Sequence, residues 1–165
     1  MKLNPFSMLT RPDGTIVFVI AVCNHSETKE ELVIYKTINS EGKTSSAYAC
    51  PKDIFMDDSF DPNDVKCDIE SEPYVDEITE RSIEAYSLWN HFKGARSLVI
   101  TRAINIITGE KLVLYRCLDN KGKTNHRDGV YARPEEMFSS LVDPEKYPER
   151  AGEYRFVKDM GIVQG

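Results

Sequence analysis

Apolar and polar positions follow one another in short runs along this 165-residue chain, and the runs fall into two similar sets. Thr15 to Cys23 reads Thr-Ile-Val-Phe-Val-Ile-Ala-Val-Cys, β-branched and too short for a helix, and predicts a buried strand. Asn24 to Lys29 is polar, and Glu30 to Ile38 predicts a second strand that forms a hairpin with the first. Gly42 supplies the next turn, and Ser45 to Cys50 a shorter third strand. Pro51 lacks a ladder donor and ends it, so Pro51 to Phe55 predicts one helical turn burying Ile54 and Phe55. Residues 1–14 predict a loose segment closing in a turn at Arg11-Pro12-Asp13-Gly14.

The same order of runs then recurs. Ser97 to Ile107, Glu110 to Leu118 and Val130 to Arg133 predict three strands, with Thr108-Gly109 at the hairpin and a closing turn over Pro134 to Phe138. Leu32-Val33-Ile34-Tyr35 stands 80 positions before Leu112-Val113-Leu114-Tyr115, and Tyr48 to Pro51 stands 83 before Tyr131 to Pro134. Self-similarity at a fixed interval decides architecture before any other signal. The predicted fold class is mainly β: two SH3-like small β-barrel or β-roll units in tandem. Residues 1–56 are the first, 57–90 an acidic linker with one helix, and 91–165 the second with an added C-terminal strand. At roughly 60 residues a single core is marginal, so the units should pack on each other. The helix is placed over Asp76 to Phe92, where Ile78, Ser82, Ala85, Leu88, Trp89 and Phe92 recur at helical spacing before Gly94. Glu153 to Val157 alternates and predicts an edge strand.

Charge locates the connector. Residues 57–80 hold ten acidic side chains and one basic, whereas residues 1–56 balance and residues 81–165 carry a small positive excess, within a net charge of −6. That pattern argues against a nucleic-acid footprint. No apolar run approaches a membrane span, and the N-terminus lacks a signal-peptide core, which makes the cytoplasm the expected compartment. Cys23, Cys50, Cys67 and Cys117 form no CxxC pair and are expected as reduced thiols, Cys23 and Cys117 facing the core. The three His are dispersed without metal-ligand spacing, so neither a metal nor another cofactor is expected.

The candidate chemistry lies where the two sets differ. His25-Ser26-Glu27-Thr28 becomes Asn105-Ile106-Ile107-Thr108, and Cys50 becomes Arg133. Neighbours in one tight turn rarely align as nucleophile, base and orienter. The plain role of this turn is for its hydroxyls and carboxylate to bond turn amides. Lys29 stands where Gly109 does; either a positive φ there costs Lys29 about 1 kcal/mol, or the turn is of another type. Arg133 before Pro134 could hold a carboxylate or phosphate bidentately, or pair with Glu135, Glu136 or the linker. Tyr35, Tyr48, Tyr115 and Tyr131 recur in both sets, as core or as a platform for an extended ligand. Lys121, Lys123 and Arg127 make a modest basic patch.

These residues also carry a resemblance. His91-Phe92-Lys93-Gly94, Thr108-Gly109-Glu110, Leu112-Val113-Leu114-Tyr115 and Arg133-Pro134 with Met137-Phe138 resemble the bacterial domain of unknown function 1653 (DUF1653), as does His25-Ser26-Glu27-Thr28 in the first set. The likeness is tandem, over residues 14–55 and 91–138, and implies an SH3-like β-roll without an assigned activity. The departures are complementary: neither set keeps both the His-Ser-Glu-Thr turn and the Arg-Pro step. The reading that results is a non-enzymatic binding or interaction protein, with His25, Glu27, Tyr35, Tyr115, Tyr131 and Arg133 as candidate contacts. Its partner would be a peptide, a protein or a small anionic ligand. The alternatives are an enzyme with a composite site of His25, Glu27 and Arg133 at the unit interface, and a module that self-associates, as a homodimer, through the edge at Glu153–Val157.

Overall fold

A computed structural model describes residues 3–64, 78–118 and 129–160. Cys67, most of the acidic connector, His126 and the basic patch of Lys121, Lys123 and Arg127 lie outside them. The strands are β1 (Met8–Thr10), β2 (Ile16–His25), β3 (Glu31–Ile38), β4 (Tyr48–Pro51), β5 (Leu88–His91), β6 (Arg96–Asn105), β7 (Lys111–Cys117), β8 (Val130–Pro134) and β9 (Phe156–Asp159). Single turns of helix, α1 (Lys52–Phe55) and α2 (Glu135–Phe138), follow β4 and β8. Each starts after a proline, Pro51 or Pro134, and each buries its phenylalanine while Ile54 stays exposed.

The strands close a ring in the order β4-β3-β2-β8-β7-β6, with β6 returning to β4. Three strands come from each half of the chain. Where two tandem units were expected, the closed barrel is one and is shared. The halves meet along two parallel seams. In one, Asn24 pairs Tyr131 and His25 pairs Ala132; in the other, Tyr48 pairs Ile104 and Ala49 pairs Asn105.

Burial explains the unbroken apolar run of β3 and β7. Leu32, Val33, Ile34 and Tyr35 are all fully buried, because the strand is covered on both faces. Leu32, Ile34, Leu112 and Leu114 point into the barrel with Ala21, Ala49, Ala103 and Ala132, since a six-stranded barrel has room for little more than methyl groups between its large side chains. Val33 and Tyr35 point outward into a cluster with Phe55; Val113 and Tyr115 do the same with Phe138, Trp89 and Phe156.

Two expectations fail. The described part of residues 1–14, from residue 3, is not loose: β1 pairs with β2 from Met8↔Phe18 to Thr10↔Ile16. The helix over Asp76–Phe92 is absent from its described part, where turns lead into β5. Trp89 is buried because β5 pairs with β6 on one side and β9 on the other. The spacing that suggested a helix is overridden by this pairing. The two failures correspond. Phe6 N–H donates to the Val19 carbonyl at 2.7 Å, and Tyr86 N–H to Val99 at 2.7 Å. Phe6 and Tyr86 both hold a left-handed φ, 65° and 66°, and the ladder of each following long strand shifts at the same place, after Val19 or Val99. Lys29 also has φ 65°, against 77° for Gly109.

β9 is the outermost strand of the sheet path and lies along Phe156–Asp159, slightly later than expected. Val157 on it and Met160 just after it are exposed, and Arg81 donates to the Phe156 carbonyl at 2.8 Å. Lys158 fastens the segment before β5: its ammonium donates to the carbonyls of Thr79 (2.9 Å) and Ser82 (3.0 Å) and pairs with Glu84. No helix among the described residues is long and apolar enough to cross a membrane.

Candidate functional site

The seam between β2 and β8 gathers five of the six candidate residues. His25, at the end of β2, is buried, and its Nδ1 accepts the N–H groups of Glu27 and Thr28, each at 3.1 Å. That fixes the neutral tautomer with the proton on Nε2, which donates to Glu110 Oε1 at 2.9 Å. Ser26 N–H reaches across to the Ala132 carbonyl at 2.8 Å, locking the turn onto β8. Glu27 is thereby held exposed beside Arg133, Oε1 to guanidinium 3.5 Å. Arg133 Nε donates to the Tyr115 hydroxyl at 3.0 Å. Tyr115 stacks on Tyr131 at 5.5 Å between centroids. Burial raises the Tyr115 and Tyr131 hydroxyls above their ordinary range, opposed at both by the Arg133 charge.

Tyr35 is elsewhere. It is fully buried against Tyr48, Phe55 and Phe60, with its hydroxyl donating to the Pro62 carbonyl at 3.3 Å. Of the four recurring tyrosines, Tyr35 and Tyr115 are core, and Tyr48 and Tyr131 are half-buried.

The seam between β4 and β6 repeats this framework with other side chains. Asn105 takes the place of His25, its Oδ1 accepting the N–H of Ile107 at 2.9 Å and of Thr108 at 3.3 Å. Ile106 N–H reaches the Ala49 carbonyl at 3.0 Å. Ile107 stands for Glu27 and Cys50 for Arg133. Burial pushes the Cys50 thiol up to about 12. Beside this seam lies a hollow of about 520 Å³ lined by Asp53, Asp57, Asp61 and Asp64 with Ile106 and Ile107. Cys23 is buried and Cys117 half-buried, and neither is in a disulfide. No group of three or more metal-ligating side chains occurs among the described residues.

The sequence reading missed a second set of residues beside the polar seam. His91, placed there at a helix end, is on β5, its ring edge-on to Phe156 at 4.9 Å. The Arg133 guanidinium carbon lies 5.6 Å from the same Phe156 centroid. Burial, then the charges of Arg133, Arg155 and Lys93, lower the His91 imidazole to about 4. The His-Phe-Lys-Gly string and the alternation of Glu153 to Val157 marked the two segments of this cluster, but nothing local to either showed that they meet. Glu110 stood out in the Thr108-Gly109-Glu110 turn, but its pairing with His25, 85 residues away, had no local sign.

Residues 87–158 match the model of a family described as "Protein of unknown function (DUF1653)". The matched stretch holds His91, Tyr115, Tyr131 and Arg133, and stops short of His25 and Glu27 on the other side of the seam. No curated protein and no solved structure matches the chain.

Proposed function

We propose that the protein is a binding protein with no reaction of its own, built from two copies of one three-stranded unit, and that its recognition surface is the polar seam. The observation that carries this reading is the exchange of His25, Glu27 and Arg133 for Asn105, Ile107 and Cys50 at corresponding places in the two seams. Asn105 supports its turn with the same pair of amide bonds that His25 makes. Turn and barrel closure therefore need no imidazole, carboxylate or guanidinium, and the charged pair is left for contact with something outside the chain.

Binding is favoured over general-base catalysis by the state of His25. A base needs a free lone pair within reach of its proton, whereas both ring nitrogens of His25 are engaged and its side chain is 8% exposed. Glu27 and Arg133 are different. Their 3.5 Å separation is long for a charge-assisted hydrogen bond, so a ligand can compete for either partner at small cost. The ligand class is a small molecule or peptide bearing an anionic group. A thermal-shift screen with nucleotides, sugar phosphates and acidic peptides on the wild type and on Glu27→Ile/Arg133→Cys tests this. Ligands should stabilise the wild type only, and equal shifts in both proteins would remove the seam as the site.

A further inference from the structure

Three cations are drawn together beside the polar seam of a chain whose net charge is −6. Phe156, buried on β9, is shared by two of the groups there: His91 meets it edge-on and Arg133 lies over it. Arg155, next along the chain, accepts the Phe92 N–H on its carbonyl at 2.9 Å, and its Nε donates to Ser140 Oγ at 3.4 Å. Lys93 projects over the Tyr147 ring at 5.0 Å. The three charges act together on His91, and Glu27 is the carboxylate that offsets one of them, at Arg133. Lys93, Arg133 and Arg155 against Glu27 leave a local surplus of two positive charges. Like charges held together repel, the more so where water is partly excluded, unless an anion joins them.

His91 shows where an anion would be met. Its Nδ1 accepts the Lys93 N–H at 3.2 Å, so in the neutral ring Nε2 carries the proton and is a donor. Donors on β5 and β8 thus meet at one aromatic ring, and Arg155, just before β9, is near enough for its charge to act on His91. That arrangement suits a tetrahedral oxyanion better than a planar carboxylate, and a surplus of two charges matches a dianion. We propose that His91, Lys93, Arg133 and Arg155 form a binding site for the phosphomonoester group of a small organic ligand. The inference rests on the polar seam being a recognition surface and names the chemistry recognised there.

The test is an NMR titration of the full chain with phenyl phosphate and with benzoate at fixed ionic strength, read at the His91 ring and the Arg133 Nε–H. Phenyl phosphate should give saturable shifts at both, at least tenfold tighter than benzoate. Arg133→Ala and Lys93→Ala should each weaken it about tenfold, the loss of one charge-assisted bond. Lys93 is exposed, so its variant keeps the test valid if Arg133→Ala fails to fold. Absence of saturation, equal affinity for benzoate, or unchanged affinity in Lys93→Ala overturns the phosphate site. If phenyl phosphate is silent while another ligand shifts Glu27 and Arg133, the phosphate assignment falls and seam recognition stands. Saturable shifts confined to residues away from the seam overturn both.

Discussion

The two seams of the barrel do the same structural work with different chemistry. At each, a polar side chain at the end of a long strand accepts two amides of the following turn, and the next amide bonds the neighbouring short strand. Each seam is also backed by a buried tyrosine under aromatic rings, Tyr35 beneath Phe55 and Phe60, Tyr115 beneath Phe138 and Phe156. What differs is the outer layer: Glu27, Arg133 and His91 at one, Ile107, Cys50 and aspartates at the other. The comparison separates what closing this barrel requires from what it merely carries, because the second seam serves as an internal control for the first.

The aromatic covers give the largest expected contrast. Phe156 is 1% exposed, and Phe156→Ala should cost about 3–5 kcal/mol. Phe60 is half-buried, and Phe60→Ala should cost about 1–2 kcal/mol. Urea unfolding of both measures the difference, and equal losses would break the view that β9 is integral to the second half. Next come the turn supports. His25→Ala strands two amides and should cost about 1–3 kcal/mol, while His25→Asn, copying Asn105, should cost less than about 1 kcal/mol; a reversed order would show the imidazole to be structural.

The pH response is smaller and belongs to one seam. An unfolded chain titrates His91 at its ordinary 6.5, the folded chain near 4, so the unfolded state binds more protons between these values. Stability should therefore fall as pH drops from about 6.5 toward 4, and His91→Phe should flatten that part of the urea-midpoint profile. Smallest is the response of the thiols. Burial holds Cys23 and Cys50 at about 12, so alkylation at neutral pH should reach both only on unfolding.

Much of this was legible in the sequence. Whereas the φ of 65° decides between the two turns that were open at Lys29, strands β2 to β4 and β6 to β8, both hairpins and the proline-started helical turns all follow from local pattern. The barrel did not, because two half-barrels and one shared barrel have the same strand order within each half; only the parallel pairs Asn24↔Tyr131 and Tyr48↔Ile104 distinguish them. Strands β1 and β5 were missed for a related reason: each is short, and pairing with β2 or with β6 and β9 decides it. His25, Glu27 and Arg133, taken from the places where the two halves differ in sequence, lie along one seam. Tyr35 misled because it matches Tyr115 in sequence while lying under a different seam.

The central claim is that the polar set is not needed to build its seam. Urea unfolding of His25→Asn/Glu27→Ile/Arg133→Cys, which gives the first seam the side chains of the second, tests it most directly. The variant should fold with an unchanged denaturant slope and lose about 1–3 kcal/mol, mainly from the unpaired Tyr115 hydroxyl. A loss above about 5 kcal/mol, or failure to fold, would make these residues structural and contradict the account.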